Sequence, residues 1–361
     1  MSVSQRFYAL DVLRGLTIAL MILVNTPGSW DHVYALLLHA HWDGFTFADI
    51  VFPGFLFVVG AAMAFSLKNA EFNAQTVLRI FKRGALMFAC GLFLNWFGRW
   101  DLAELRIPGV LQRIAICYVI AALLVLALPR KALWLAGGAL LTSYFAALQL
   151  SDNPFALETN VVRWLDLAVF GSAHIYQGFG VAFDPEGLLS NLSATCNVLI
   201  GFGIASVLQG KTAEQGLRAL VFFGVATLAA ALLIAQFWPI NKALWSGSYM
   251  LLSSSMLMLL LAALVYVVDV RRAVNLAEPF RIYGTNPLFV YMLSWVWTVI
   301  IDRLIVWQQG DVSMSLYAYV YQGLAQVLPP EVASLAFALA HVALFWYVSY
   351  WLYRRQIFIK L

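Results

Sequence analysis

Charge is what this sequence has least of. Only 11% of its 361 residues are charged, against about 25% in an ordinary soluble domain. So little charge cannot clothe a water-facing surface, which excludes a soluble globular protein. The net charge of +4 is small, and no nucleic-acid partner is expected. Cysteine is scarce as well. Cys90, Cys117 and Cys196 all fall within apolar runs, without the loop context of a disulfide or the spacing of metal ligands, and read as buried, inert thiols. Histidine is rare too: His39 and His41 stand close together, but no third and fourth ligand follow at a sensible spacing, so no metal site is expected. No tandem repeat or low-complexity segment stands out. The first apolar stretch runs past Leu20 to Val24 without a small-residue cleavage site, which argues against a cleavable signal.

What is abundant is apolar: 63% of the residues are hydrophobic and the mean hydropathy is +0.82. A bilayer core needs roughly 20 mainly apolar residues per helix, and irregular backbone cannot face lipid with its N–H and C=O groups unpaired. The expected fold is therefore an all-α polytopic membrane protein, one domain over 1–361, built as a bundle of about ten transmembrane helices. The runs 14–28, 46–67, 77–97, 108–128, 131–150, 187–208, 217–238, 246–268, 284–305 and 331–353 carry them. The apolar but Tyr/Gln-interrupted segment 312–328 reads as interfacial or re-entrant. The longest connection is 151–186.

The positive-inside rule orients this bundle with both termini cytoplasmic. Most of the 22 basic residues, among them Arg6, Arg14, Lys68, Arg79, Lys82, Arg83, Arg130, Lys131, Lys211, Arg218, Arg271, Arg272, Arg281, Arg354, Arg355 and Lys360, then lie on the inner side. The acidic residues do the reverse: Asp31, Asp43, Asp49, Asp101, Glu104, Asp152, Glu158, Asp166, Asp184, Glu186, Asp302, Asp311 and Glu331 all fall outside or near it. Easy translocation of acidic loops explains part of this. A two-faced protein explains it more sharply, with a basic inner face for a polyanion and an acidic, aromatic outer face for a cationic or hydroxylated ligand.

The densest polar cluster is HAHWDGFTFADIVFP, His39 to Pro53. Asp49 lies just inside an apolar run, where a charge costs about 2.5–3.5 kcal/mol and needs a partner or a watery cavity. A histidine held by a carboxylate is a base or nucleophile, although a loop histidine is often only solvated and Thr46 or Asp49 can serve as a helix cap. In LDVLRG, Asp11 and Arg14 share one helical face, as a surface ion pair or an inner phosphate site. Asn25 ends the first run. In RIPGVLQR, Gln112 and Arg113 lie deep in a span, where an arginine faces a cavity or a carboxylate. FDPEG places Asp184 and Glu186 at a helix start, PINKALWSGSY places Lys242 and Trp245 near the outer surface, and Asn286–Pro287 breaks a ninth run, as binding sites in membrane bundles do.

These motifs, with the Val-Val-Asp run at 267–269, resemble the catalytic membrane domain of the heparan-α-glucosaminide N-acetyltransferase family. They occur in family order from about residue 7 to the C-terminus. The resemblance implies transfer of acetyl from cytosolic acetyl-CoA, a co-substrate, to the amine of a glucosamine across the membrane. It implies that the catalytic histidine of the family's His-Ala-x-Trp motif is His39, not His41, and that Asn25 and Asp49 line the same site. Chemistry by acetyl-histidine or by a direct ternary complex is left open. The animal members carry a large lumenal domain ahead of this region and a longer loop at 151–186. A small amino sugar such as free glucosamine is therefore the expected acceptor, with terminal glucosamine of a chain as the other.

The resulting expectations are a multi-pass protein of the bacterial inner membrane and a possible homodimer. Catalysis is expected from His39, Asp49 and Asn25. Acceptor contacts are expected from Trp42, Asp184, Glu186, Lys242, Trp245 and Asn286, and acetyl-CoA contacts from Arg14, Arg83, Gln112 and Arg113. The alternatives are an amino-sugar transporter and an O-acetyltransferase of an envelope polysaccharide. A purely structural membrane protein leaves the His39–Pro53 cluster unexplained.

Overall fold

A chain whose apolar runs are about one bilayer long satisfies its backbone by winding each run into a helix. The computed structural model, which describes residues 7–309 and 312–359, does so throughout. Arg6, Asp311 and Lys360 lie outside the described residues. In chain order the helices are α1 (Tyr8–Asn25), α2 (Val51–Ser66), α3 (Ala74–Trp96), α4 (Val110–Ala127), α5 (Arg130–Leu148), α6 (Val161–Phe170), α7 (Asn191–Leu208), α8 (Ala213–Ile234), α9 (Gly247–Leu264), α10 (Val274–Tyr283), α11 (Pro287–Val299), α12 (Leu316–Ala325) and α13 (Pro330–Arg354). A short antiparallel pair, β1 (Val306–Gln309) with β2 (Val312–Ser315), precedes α12.

Nine stretches among the described residues are long and apolar enough to cross a membrane. The tenth expected span, 77–97, is present as α3, long enough at 23 residues. It departs from the other nine because Arg79, Lys82 and Arg83 load its first turns with charge. Segment 312–328 holds a strand and the ten-residue α12, too short to span. Two helices went unread in the sequence: α6, inside the long 151–186 connection, and α10, which carries Pro279.

Glycine sets how closely the central helices approach. At the α2–α7 crossing, a Cβ on Gly60 would lie 1.9 Å from the Val198 carbonyl oxygen, and one on Gly201 would lie 2.0 Å from that of Phe57. Only bare backbone fits there, as at close helix crossings in membranes generally. A Cβ on Gly15 would meet the Phe280 carbonyl oxygen at 1.6 Å, so α10 is pressed onto the first half of α1. Around these crossings α3 pairs with α4, α8 with α9, and α1 with α13.

The connections gather at two ends. At one end, loops 26–46, 98–109, 149–190 and 235–246 form a cap. Gly44 N–H donates to the Ile240 carbonyl at 2.8 Å, Ile107 N–H to that of His174 at 2.9 Å, and Trp42 Nε1–H to that of Phe155 at 2.9 Å. At the opposite end, where α1 begins, the Asp269 carboxylate accepts from the N–H groups of Tyr8 and Ala9 at 3.0 and 3.2 Å. Arg281 joins Glu278 and Tyr353 there.

The α2–α7 contact yields a direct expectation. Gly201→Val should destabilise the bundle by at least the about 1–3 kcal/mol of an overpacked core, read as loss of the monodisperse peak in detergent size-exclusion chromatography. The same substitution at Gly138, where an added Cβ meets nothing within 4 Å, should leave the peak intact. Equal behaviour of the two variants would contradict the packing.

Candidate active site

The cap buries the carboxylates of Asp49, Asp166 and Asp184; Asp49 is the one beside the histidine loop. Asp49 sits at the start of the α2 rod, three residues after Thr46, and its side chain turns back over the segment that leads in. Its Oδ2 accepts from Thr46 N–H at 2.9 Å and from Ala40 N–H at 3.2 Å. The Thr46 hydroxyl donates to the Leu38 carbonyl at 2.6 Å, and the Tyr249 hydroxyl to the Asp49 carbonyl at 2.7 Å. These bonds wrap 38–49 around the carboxylate, which is fully buried. The helix-cap reading of Asp49 is thus correct for one oxygen only.

The other oxygen, Oδ1, faces His39 Nδ1 at 2.8 Å and Lys242 Nζ at 3.3 Å. Lys242 Nζ also lies 2.8 Å from His39 Nδ1. With Nδ1 turned into the protein and 41% of the side chain exposed, the ring offers its Nε2 edge to the open side. Lys242 arrives because 239–246 is stapled to the histidine loop. Asn241 Nδ2–H donates to Asp43 Oδ1 at 3.1 Å, and Asn241 Oδ1 accepts from Leu244 N–H at 2.7 Å. Burial disfavours the Lys242 ammonium and holds its pKa below the usual lysine range, although the Asp49 and Glu186 carboxylates pull the other way.

Arg106 supplies the next layer. Its Nε and Nη2 donate to the two Asp184 oxygens at 2.9 and 2.7 Å, and Nη2 also reaches Glu186. Burial works against the guanidinium, but Glu186 and Asp184 hold its pKa above the ordinary arginine value. Its plane lies 4.9 Å from the centroid of the exposed Tyr176 ring. Sequence reasoning missed Arg106 as the partner of both carboxylates; RIPG and FDPEG are far apart in the chain, and nothing local in either announces the pair.

A second feature begins at the opposite end. A cavity of about 400 Å³ lies between α2, α3, α4 and α11. Arg14, Arg83, Ser66 and Thr285 line it near the start of α1, and Phe55, Val110, Leu111 and Tyr291 line it toward the cap. Its α2 wall, Phe55 to Ser66, is about 16 Å long at helical rise. Phe55 is six residues beyond Asp49, about 9 Å along the axis. Tyr291 feels the charges of Glu186 and Arg106, so the cavity's inner end approaches the same cluster. Its outer mouth adjoins a recess lined by Arg79, Lys82 and Arg83. Arg14 lies 3.3 Å from Asp11 and donates to the Gly284 carbonyl at 3.4 Å, while Arg83 lies over the Tyr118 ring.

Several expected site residues are engaged in contacts within the fold. Trp245 lies in the 235–246 loop of the cap but is not exposed. It is enclosed, its indole N–H donating to Asn197 at 2.8 Å and its face covered by the Arg113 guanidinium at 4.7 Å. Arg113 lies on the far side of α4 from the cavity and donates to the Gly187 carbonyl at 3.2 Å and to Ser190. Gln112 fills the space against Gly91 and donates to the Ile107 carbonyl at 3.0 Å. Asn286 is at the end opposite His39. It donates to the Ile357 carbonyl at 3.0 Å and accepts from Ile359 N–H at 2.7 Å. Asp184 is spent on Arg106 and on the N–H groups of Tyr176 and Glu186, both at 3.0 Å. Trp42 packs edge-on against Phe179 and Phe183. Asn25 ends α1 with an exposed side chain that no hydrogen bond ties to His39 or Asp49 among the described residues. His41 is exposed.

The resemblance read from the sequence is borne out by comparison with known proteins. Residues 6–179 match the family model described as heparan-alpha-glucosaminide N-acetyltransferase, catalytic. The chain is similar to the heparan-alpha-glucosaminide N-acetyltransferases of Homo sapiens, 27% identical, and Mus musculus, 26% identical. The alignments cover 80% and 81% of this chain and 52% and 53% of those proteins, so the chain spans about half the length of the relatives it matches.

The cap also carries a titration that reports on its integrity. Burial, with Asp184 nearby, raises the Asp166 carboxyl to about 7 against the Leu188 N–H bond and the Arg113 charge. A carboxyl raised above its unfolded value of about 3.9 destabilises the fold as it ionises. The penalty grows from about pH 4 and is complete above about pH 7. Melting in detergent at pH 5 to 8, followed by tryptophan fluorescence, should therefore show a falling midpoint that Asp166→Asn flattens. Identical slopes in the two proteins would contradict the burial.

Proposed function

We propose that this protein is a transmembrane acetyltransferase. It moves acetyl from acetyl-CoA, entering at the face where α1 begins, to the amine of a glucosamine-type sugar at the His39 face. The observation that carries the reading is the pairing of the two sites. An arginine-lined cavity runs from the basic face toward a histidine–carboxylate pair at the opposite cap. The similarity to the heparan-alpha-glucosaminide N-acetyltransferases supports the same assignment.

A thioester donor with a polyanionic handle fits the cavity. Arg14 and Arg83, with Arg79 and Lys82 beside them, offer positive charge for phosphates, and the apolar wall from Met63 to Phe55 suits a pantetheine arm. The thioester then comes to rest near the inner end, toward His39 Nε2. As a base, Nε2 takes a proton from the acceptor amine while nitrogen attacks the carbonyl, and returns that proton to the departing thiolate. As a carrier, Nε2 itself attacks and the thiolate leaves, taking a proton from water; the amine then takes the acetyl from the imidazole and gives its surplus proton to water. In both routes Asp49 stabilises the imidazolium and fixes the ring. Asn25 is proposed as an amide donor to the tetrahedral oxyanion. Glu186 is proposed to recognise the sugar's ammonium, which gives one proton to water before the neutral amine attacks, with Trp42 bracing the wall beside it.

The basic end is proposed to face the cytoplasm, with both termini there and the cap in the periplasm of a bacterial inner membrane. The whole chain is read as one domain, and a homodimer in keeping with the resemblance. A small amino sugar is preferred to a polysaccharide.

Purified protein in detergent, given acetyl-CoA and glucosamine, should release free CoA and form N-acetylglucosamine by mass spectrometry. His39→Ala should lose nearly all of this activity and His41→Ala far less; equal retention in both would refute the role of His39. Arg83→Ala should raise KM for acetyl-CoA about tenfold, in line with a lost charge-assisted hydrogen bond, with a smaller change in kcat. An unchanged KM would remove Arg83 from the donor site. Counterflow of glucosamine in proteoliposomes without CoA release would instead establish a transporter.

A further inference from the structure

His39 Nδ1 has two neighbours that ask opposite things of it. Asp49 Oδ1, at 2.8 Å, offers only lone pairs, so that contact is a hydrogen bond only when Nδ1 carries a proton. Lys242 Nζ, also at 2.8 Å, offers only N–H groups while it is an ammonium, so that contact is a hydrogen bond only when Nδ1 is bare. A neutral imidazole has one ring proton, and both bonds cannot be made together. Lys242 Nζ is also 3.3 Å from Asp49 Oδ1. One ammonium can therefore bridge the carboxylate and a bare Nδ1 from the side, offsetting the repulsion of two acceptors that stand 2.8 Å apart. The ring proton is then on Nε2. An Nε2–H imidazole presents a donor to the open side, where it can neither take a proton nor attack a carbonyl.

The geometry points to Lys242 as a tautomer gate for His39. Seated between Asp49 and Nδ1, its ammonium holds the histidine in the idle Nε2–H form. Once it moves off, Nδ1–H donates to Asp49 and Nε2 becomes the reactive lone pair. The exchange balances without any co-reactant: one proton passes from Nε2 to water, one passes from water to Nδ1, and Lys242 keeps its own. Glu186, whose charge reaches Lys242, is the acceptor to which the ammonium can turn. Also on that side are the Asp43 carboxylate, which accepts from Asn241, and the Arg106 guanidinium, already committed to Glu186 and Asp184.

The gate has a use that rests on the acetyl-transfer reading. While Lys242 is seated, Nε2 can neither attack the thioester nor activate water, which spares the donor until the lysine moves. Lys242 in this role is a positioning residue that acts through His39.

The test reads the tautomer itself. Full-length protein in detergent, labelled with ¹⁵N in its histidine rings, is examined by long-range ¹H–¹⁵N correlation at pH 8 without substrate. The His39 signal is identified by its loss in His39→Gln. The gate predicts a mainly Nε2–H ring in the wild type and a mainly Nδ1–H ring in Lys242→Met. The wild-type reading does not depend on Lys242→Met folding, and an Nδ1–H ring or an imidazolium there overturns the proposal. An Nε2–H ring that persists in a folded Lys242→Met does so too. Because no substrate is present, an absence of acetyl transfer leaves this result standing on its own.

Discussion

The cap of this protein is organised by the cost of one buried charge. Asp49 stands at the entrance to an apolar helix with no exposure to solvent, where an uncompensated carboxylate is expensive. Two backbone N–H groups and a lysine offset that cost, with a histidine against the same oxygen as the lysine, and each comes at a structural demand. The N–H groups require 38–46 to fold back over α2. Lys242 requires the 239–246 loop to lie against it, which Asn241, Asp43, Gly44 and Ile240 secure. His39 completes the shell and is the member left half open. The reactive group is thus a by-product of neutralising the carboxylate, and its orientation is as rigid as that of Asp49.

The glycine crossings connect this cap to the opposite face. With Gly60 and Gly201 at backbone contact, α2 is held as a fixed rod against α7. The turn that leads into it carries Asp49, and its other side forms a wall of the arginine-lined cavity. One helix thereby positions both halves of the proposed reaction. This explains why the charged residues of the two proposed sites stand at two levels, and why the space between them is lined by Phe55, Val58, Val59 and Met63.

The spans were legible in the sequence because bilayer thickness imposes a length and a composition on each. The short helices α6 and α10 were not, since ten residues give too few apolar repeats to stand out. His39 and Asp49 could be paired from a single motif because ten residues separate them. The Lys242 contact spans 203 residues and is invisible along the chain, so the lysine was read as a sugar contact. Trp245, Arg113, Gln112 and Asn286 show the converse. A polar or aromatic group inside an apolar run signals a buried partner, but the signal is the same whether that partner is a ligand or a distant backbone carbonyl. For these four it is Asn197, Gly187, Ile107 and Ile357.

The central claim is that donor and acceptor meet from opposite sides of one membrane. Proteoliposomes of known protein orientation, with glucosamine sealed at the His39 face and acetyl-CoA added only at the Arg14 face, test it most directly. The account predicts N-acetylglucosamine on the glucosamine side and free CoA on the other. Product formed only when both substrates share one side would contradict it.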